Sequence, residues 1–467
     1  MNVLILSCNT GQGHNSCAAA LAEECRIQNI PCTTEDALRF ISPEVSRFIS
    51  NWHVRIYRHA PGLFRVGYRA AEEHPVQFSE SSALYRYLTQ GAQQLSGFIA
   101  GSGFDTVICT HPFAALMVSE VVKEHLPHLK TCLIATDYTC SPSVKDSSLD
   151  RYFIPASSLS GDFLGGGITP ERLRACGIPV RQMFHSGVRK EDAKRSFGIP
   201  VDHRHLVMMC GSMGCGPIMS IARRIARSLS NDQDLTIVCG TNQRLYNRLS
   251  RHFCGVKNVH ILGYVKDMAL LMDSADLYLT KPGGISVTEA ASMRLPMVFI
   301  DAVAGCEEYN KDFFLRAGGA ATGKTPREIA RVSLKLLGDE NTLEKMGDAL
   351  DTAVPHDAAA HILSEMSKEE DNARSVPLST TAPFVSASSA RRNFPTCGCC
   401  SSGPPSACSF PMWSAFIPPR ITSRCTARST ISSPSTSGSS SPTSSGSSIS
   451  PARWSTRFSS MYRAFAA

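Results

Sequence analysis

Residues 279–310 read LTKPGGISVTEAASMRLPMVFIDAVAGCEEYN. The run LYLT that ends at Thr280 and the run PMVFIDA (296–302) are short and apolar, the length of buried strands, and ISVTEAASM lies between them as a helix. Lys281-Pro282-Gly283-Gly284 is the turn that joins the first strand to that helix. Strand, glycine turn, helix, strand is the unit from which parallel sheets covered by helices are built. The same residues carry chemistry. Backbone N–H groups at a helix start are unpaired and sit at the positive end of the dipole, so Gly283 and Gly284 would let an anion approach closely. Glu289 lies about one turn inside the helix, where a carboxylate can accept from two sugar hydroxyls. After the next strand, Gly305-Cys306-Glu307-Glu308-Tyr309-Asn310 brings two carboxylates and an amide to the same edge, groups suited to the hydroxyls of a sugar.

Outward from this unit the alternation continues in both directions. LVMMCG (206–211), LTIVCG (235–240) and VHILGYV (259–265) are further strands of the second half. IMSIARRIARSL and CEEYNKDFFLRAG are helices between strands, and TPREIARVSLKLLGD and NTLEKMGDALDTAV close the body. The first half repeats the pattern with VLILSC (3–8), a glycine turn, the helix NSCAAALAEECRIQN, TVICTH (106–111) and TCLIATD (131–137). A polar, Pro/Gly-punctuated stretch at 178–200 separates the two. The expected class is therefore α/β, with two Rossmann-like doubly wound domains facing across a cleft, over 1–185 and 186–370.

Residues 371–467 differ in kind. From 375 on, 47 of 93 residues are Ser, Thr or Pro, with no Lys, Asp or Glu, a composition that predicts either disorder or a reading frame translated out of register. Eight of the 47 basic residues and none of the 40 acidic ones fall there, so the body is near neutral and the formal charge of +7 says nothing of its ligand. No apolar run reaches the roughly 18–20 residues of a membrane span. MNVLILSC lacks the basic region of a signal peptide. Cysteines without metal-ligand spacing fit free thiols in a reducing compartment, and a cytoplasmic protein is expected.

Two more turns echo the first. Gly11-Gln12-Gly13-His14 and Cys210-Gly211-Ser212-Met213-Gly214 each follow the leading strand of a half, placing Gly13, Gly211, Ser212, Met213 and Gly214 at anion-binding helix starts. His14 is the candidate general base, because its ordinary pKa lies near neutrality, and Asp137, at the end of TCLIATD, is either a second candidate or the group that orients it. Asp232 and Asp234 have the spacing of a metal pair but precede their strand, so they read as a surface loop and no metal is expected. Residues 45–71 hold Arg47, Arg55, Arg58, Arg65 and Arg69 without an acid, interleaved with aromatics that include Trp52 and Phe64. Such a stretch suits an anionic membrane surface.

Together SCNTGQGHNSCAAAL, TDYTCSP (136–142), GIPV (177–180), CGSMGCG (210–216) and residues 279–310 resemble a family 28 glycosyltransferase. The branch they resemble is that of monogalactosyldiacylglycerol synthase and the processive diacylglycerol β-glucosyltransferases. The resemblance covers most of residues 1–370 and implies a GT-B fold, inversion at the anomeric carbon, and transfer of a hexose from a UDP-sugar to a lipid, diacylglycerol, at the inner face of the cell membrane. It implies no cofactor beyond the UDP-hexose substrate and no nucleic acid partner. It places the diphosphate against Gly211 to Gly214 and Gly283–Gly284, ribose on Glu289, uracil on the backbone near Tyr264 and Val265, and the sugar on Glu307, Glu308 and Asn310. His14 then faces the transferred group from the first domain. Cys306 stands where many relatives carry Gln. Other members of the architecture make lipid II or epimerise nucleotide-sugars, and a non-catalytic lipid-binding scaffold is the alternative outside enzymes.

Overall fold

Runs such as VLILS (3–7) and LYLT (277–280) are buried along their whole length, which only a strand with both faces covered achieves. The computed structural model describes residues 1–9, 11–44, 46–47, 79–185, 187–211, 216–300 and 305–368. Among them the strands form two six-stranded sheets. In the first, β1 (Val3–Ser7), β2 (Cys32–Asp36), β3 (Thr106–Cys109), β4 (Lys130–Ile134), β5 (Arg151–Ile154) and β6 (Leu173–Ala175) take the order β2-β1-β3-β4-β5-β6. In the second, β7 (Arg204–Met209), β8 (Gln233–Val238), β9 (Val259–Leu262), β10 (Leu277–Thr280), β11 (Met297–Phe299) and β12 (Ala320–Thr322) take the order β12-β11-β10-β7-β8-β9. Every pairing is parallel, as in β1 with β3 (Val3 opposite Thr106) and β7 with β10 (Leu206 opposite Leu277). Two doubly wound sheets are thus confirmed.

Helices cover both sheets. The helix Gln12–Ile27 buries Cys17, Ala18, Leu21 and Cys25 as one stripe, the spacing of a surface helix on a sheet. One apolar cluster takes Val3, Ile5 and Ile108 from the first sheet and Val207, Tyr278 and Phe299 from the second, so the halves share a core. A second cluster lies on the other face of the second sheet, under the helices Ile218–Ala226 and Pro326–Leu337. The last described helix, Ala358–Ser367, returns to pack on Gln12–Ile27, burying Ile362 and Leu363. No helix among the described residues is long and apolar enough to cross a membrane.

One sequence reading is corrected. Asp234 is not in a surface loop: it lies in β8, 3% exposed, with its carboxylate held between His203 Nδ1 at 2.6 Å and His260 Nε2 at 2.7 Å. The surface-loop expectation failed because the strand begins earlier than LTIVCG, at Gln233, and both partners come from neighbouring strands or their approaches. The expectation for residues 371–467 lies outside the described residues.

Candidate functional site

Strand order reverses between β1 and β3 in the first sheet and between β7 and β10 in the second. Ligands of open α/β sheets bind outside the carboxyl ends of the strands at such points. The loops and first helical turns there hold Gly11–His14 and Thr110–His111 on one side, Gly211 and Lys281–Gly284 on the other. Three helices that begin at this edge have glycine at the N-cap and no side-chain cap: Gly11 for Gln12–Ile27, Gly283 for Gly284–Ser292 and Gly305 for Cys306–Ala317. Several other helices are capped by side chains, those of Ser82, Asn242, Asp267, Thr325 and Asp339. Gly305 has φ +92°, a conformation that glycine adopts without strain.

His14 is fixed through one ring nitrogen. Its Nδ1 lies 2.8 Å from the Thr110 carbonyl and 3.0 Å from Thr136 Oγ1. A carbonyl only accepts, so Nδ1 carries the proton and Nε2 keeps its lone pair. Burial pushes the His14 pKa down, with the Thr110 bond opposing, so the ring is neutral at pH 7. The His111 ring stands edge-on at 4.4 Å between centroids, and His111 Nδ1 accepts from Phe113 N–H at 3.0 Å, capping the helix Pro112–Glu124. Beside His14 a small pocket is lined by Pro112, Thr136, Asp137, Thr139, Ser141 and Val144.

Asp137 reaches the second half. Its Oδ1 accepts from Asn310 Nδ2 at 2.8 Å, and the Gly284 N–H and the Cys306 thiol also point to it. Burial nevertheless pushes its pKa up to about 6. Gly284 comes so close that a Cβ on it would stand 2.0 Å from the Thr136 carbonyl oxygen. Asn310, expected to read the sugar, is fully buried, and both ends of its amide are committed to protein: Oδ1 accepts from Tyr138 N–H at 2.7 Å while Nδ2 also donates to the Pro282 carbonyl at 2.9 Å. Tyr138 follows into the second half, where its hydroxyl meets Thr288 Oγ1 at 2.9 Å and its ring packs on Phe313 and Phe314.

Glu289 is half-buried, and burial pushes its pKa up to about 7 against the opposing charge of Arg181. Arg181 Nε is buried without a hydrogen-bond partner, its guanidinium over the Phe184 ring. Buried Lys281 stands 3.7 Å from Glu307, and Glu308 is half-buried one residue on. Tyr264 is 73% exposed on the loop after β9, with Val265 half-buried behind it. Gly13 faces Ile285 at the start of the opposite helix, and Gly211 has φ +66°. Ser212, Met213 and Gly214 lie outside the described residues, as do Trp52, Arg55, Arg58, Phe64 and Arg65. Arg47 is exposed and ion-paired with Glu44 at 3.0 Å, one residue before the acid-free stretch. The sequence reading passed over His111, Thr136, Tyr138 and Arg181. The Thr-His pair that ends TVICTH, at the carboxyl end of a predicted strand, was the local signal for His111, while TDYTCSP contains Thr136 and Tyr138 without revealing their partners.

Comparison with known proteins is consistent along the body. The sequence model of monogalactosyldiacylglycerol (MGDG) synthase matches residues 14–180, and that of glycosyl transferases group 1 matches residues 219–351. The processive diacylglycerol beta-glucosyltransferase of Bacillus pumilus (strain SAFR-032) is 25% identical over 377 residues, covering 79% of this chain and 95% of the relative. That of Bacillus subtilis (strain 168) is 24% identical over 373 residues, covering 79% and 95%. Acinetobacter baumannii MurG superposes with a TM-score of 0.54 at 14% identity, over 78% of this chain and 99% of that one. UDP-GlcNAc 2-epimerase from Neisseria meningitidis, bound to UDP-GlcNAc, gives the same TM-score, identity and coverage. At that identity the two structures share the fold alone. Fold and sequence agree: the chain has the GT-B fold and is a hexosyltransferase, similar in sequence to the processive diacylglycerol beta-glucosyltransferases and, over residues 14–180, to monogalactosyldiacylglycerol synthase.

Proposed function

We propose that this chain transfers a hexose from a UDP-sugar to the free hydroxyl of diacylglycerol, with inversion, on an anionic membrane surface at the inner face of the cell membrane. The observation that carries the reading is His14: its Nδ1–H is tied to the Thr110 carbonyl, which leaves a neutral Nε2 at the edge where both halves meet. The acceptor oxygen attacks the anomeric carbon, its proton passes to His14 Nε2, and the bond from that carbon to the β-phosphate oxygen breaks. Negative charge then grows on the departing diphosphate. The positive end of the helix that begins after Gly283, together with the turn that begins at Gly211, stabilises it without a metal or cofactor. Glu289 takes the ribose hydroxyls, Glu307 and Glu308 the sugar, and the loop of Tyr264 and Val265 the uracil. The pocket of Thr139, Ser141 and Val144 beside His14 receives the glycerol end of the lipid.

The test is transfer of radiolabel from UDP-glucose and from UDP-galactose to diacylglycerol in liposomes containing anionic lipid, with EDTA throughout. Labelled glycolipid from one donor supports the reading and names the sugar. Free UDP without glycolipid would keep the donor site and reject the acceptor. Conversion of the donor to its epimer without acceptor would replace transfer by epimerisation.

A further inference from the structure

We infer that the outer face of the second sheet is a docking surface for anionic lipid. Three neighbouring helices form this face over one apolar cluster: Ile218–Ala226, Gln243–His252 and Pro326–Leu337. The first carries Arg224 and continues to Arg227, the second carries Arg244, Arg248 and Arg251 at helical spacing, and the third carries Arg327 and Arg331. All seven are exposed. Among the described residues none is ion-paired, although arginines elsewhere on the surface are: Arg39 with Glu35, Arg189 with Asp192, Arg204 with Glu340 and Arg294 with Asp348. Residues 216–258 contain just two acids, and Asp234 is held by two histidines at the opposite, amino end of the sheet. The third helix holds one acid, Glu328, which accepts from the Lys324 N–H at 2.8 Å, so a body of near-zero net charge has collected an excess of cations on this side. Each helix starts at the carboxyl end of its strand, so Arg244 and Arg327, in the first turns, stand at the edge that holds the site. The partner is an extended anionic surface, and lipid is chosen because the proposed acceptor resides in a bilayer; that choice rests on the proposed function. None of its residues belongs to the Arg/aromatic stretch at 45–71.

The experiment measures partition of the full-length protein onto vesicles, without donor or acceptor, so its outcome is independent of whether transfer occurs. The variant Arg224→Glu/Arg248→Glu/Arg331→Glu is compared with wild type on vesicles of phosphatidylglycerol and phosphatidylcholine and on phosphatidylcholine alone. A cation near a charged bilayer contributes on the order of one tenfold step or somewhat less, so the triple change is expected to weaken partition by more than about tenfold on the anionic vesicles. Binding to neutral vesicles stays unchanged, and an Arg→Gln triple variant falls between. Thermal melting checks that both variants are folded. Unchanged partition on anionic vesicles overturns the inference. So does tighter binding of a DNA duplex than of vesicles at the same ionic strength, lost in the same variant, which would make the face a nucleic-acid surface.

Discussion

At the scale of single residues the argument turns on protonation. His14 must be neutral to accept a proton, and burial lowers its pKa. The acidic limb of kcat is therefore expected below the ordinary histidine range near 6.5, with activity lost as pH falls through it. His14→Ala should cost about 10²–10⁴ in turnover while UDP binding, measured by calorimetry, is retained; near-normal turnover would remove His14 from the base role. His111 offers a finer separation. Asn at 111 keeps a side-chain acceptor for the Phe113 N–H but deletes the ring beside His14. His111→Asn is expected to melt like wild type yet shift the acidic limb, whereas a purely structural cap would leave the pH profile in place. Asp137 works in the opposite sense. Its folded pKa of about 6 lies above the ordinary carboxylate value, so the folded state holds the proton more tightly. Stability from this group is greatest below about pH 4, declines as pH rises towards 6 and is level above. Asp137→Asn should therefore raise the melting temperature at pH 7.5, by at most about 3 kcal/mol of stability, and leave it unchanged near pH 3.5.

At the scale of elements the three glycine-started helices separate packing from ligand. Gly284 needs to be glycine for the fold, since a Cβ there meets the Thr136 carbonyl and Asp137 Oδ1 at 2.0 and 2.8 Å. Gly283 has φ −75° and nothing within 4 Å of an added Cβ, so the protein itself does not require glycine there. Gly284→Ala is expected to lower the melting temperature by several degrees. Gly283→Ala should melt normally and bind UDP about tenfold more weakly or worse, because the diphosphate needs that space. Equal melting of the two variants would sink the distinction. The helices beside the glycine turns, both sheets and most central strands were legible, the strands because one buried on two faces is a continuous apolar run. β2, β6 and β12 were not: they are edge strands, and CTTED, LRA and AAT carry exposed or small residues without that signature. In the site, His14, Asp137 and the glycines could be read because a turn after a strand is a local pattern. Thr136 meets His14, Tyr138 meets Thr288 and Arg181 faces the charge of Glu289 through contacts distant in sequence, for which no local spacing exists. Asn310 was read for its chemistry, and its buried amide bridge to Tyr138 was invisible for the same reason.

At the scale of the molecule, sequence alone reads as two domains, but packing links them. One core cluster includes strands of both sheets, the Tyr138 ring sits against Phe313 and Phe314, and the helix Ala358–Ser367 closes back on the first helix of the chain. Two domains joined by a polar linker would unfold in separate steps, whereas domains that share apolar surface melt together. The chain without ligand is expected to give one calorimetric transition, with the calorimetric and van't Hoff enthalpies equal. Tyr138→Ala removes the ring from its phenylalanine contacts and the hydroxyl from Thr288, a loss of about 3–5 kcal/mol for a buried aromatic. Because that loss falls on the contact between the halves, the variant should split the transition in two rather than shift it whole. UDP at about 100 times its Kd should then raise only the later-sequence unit's transition, by mass action worth about 2.7 kcal/mol, since the proposed nucleotide contacts all lie in the second sheet's loops. Two transitions in the wild type, or a Tyr138→Ala variant that melts as one unit at lower temperature, would place the coupling elsewhere than in this aromatic contact.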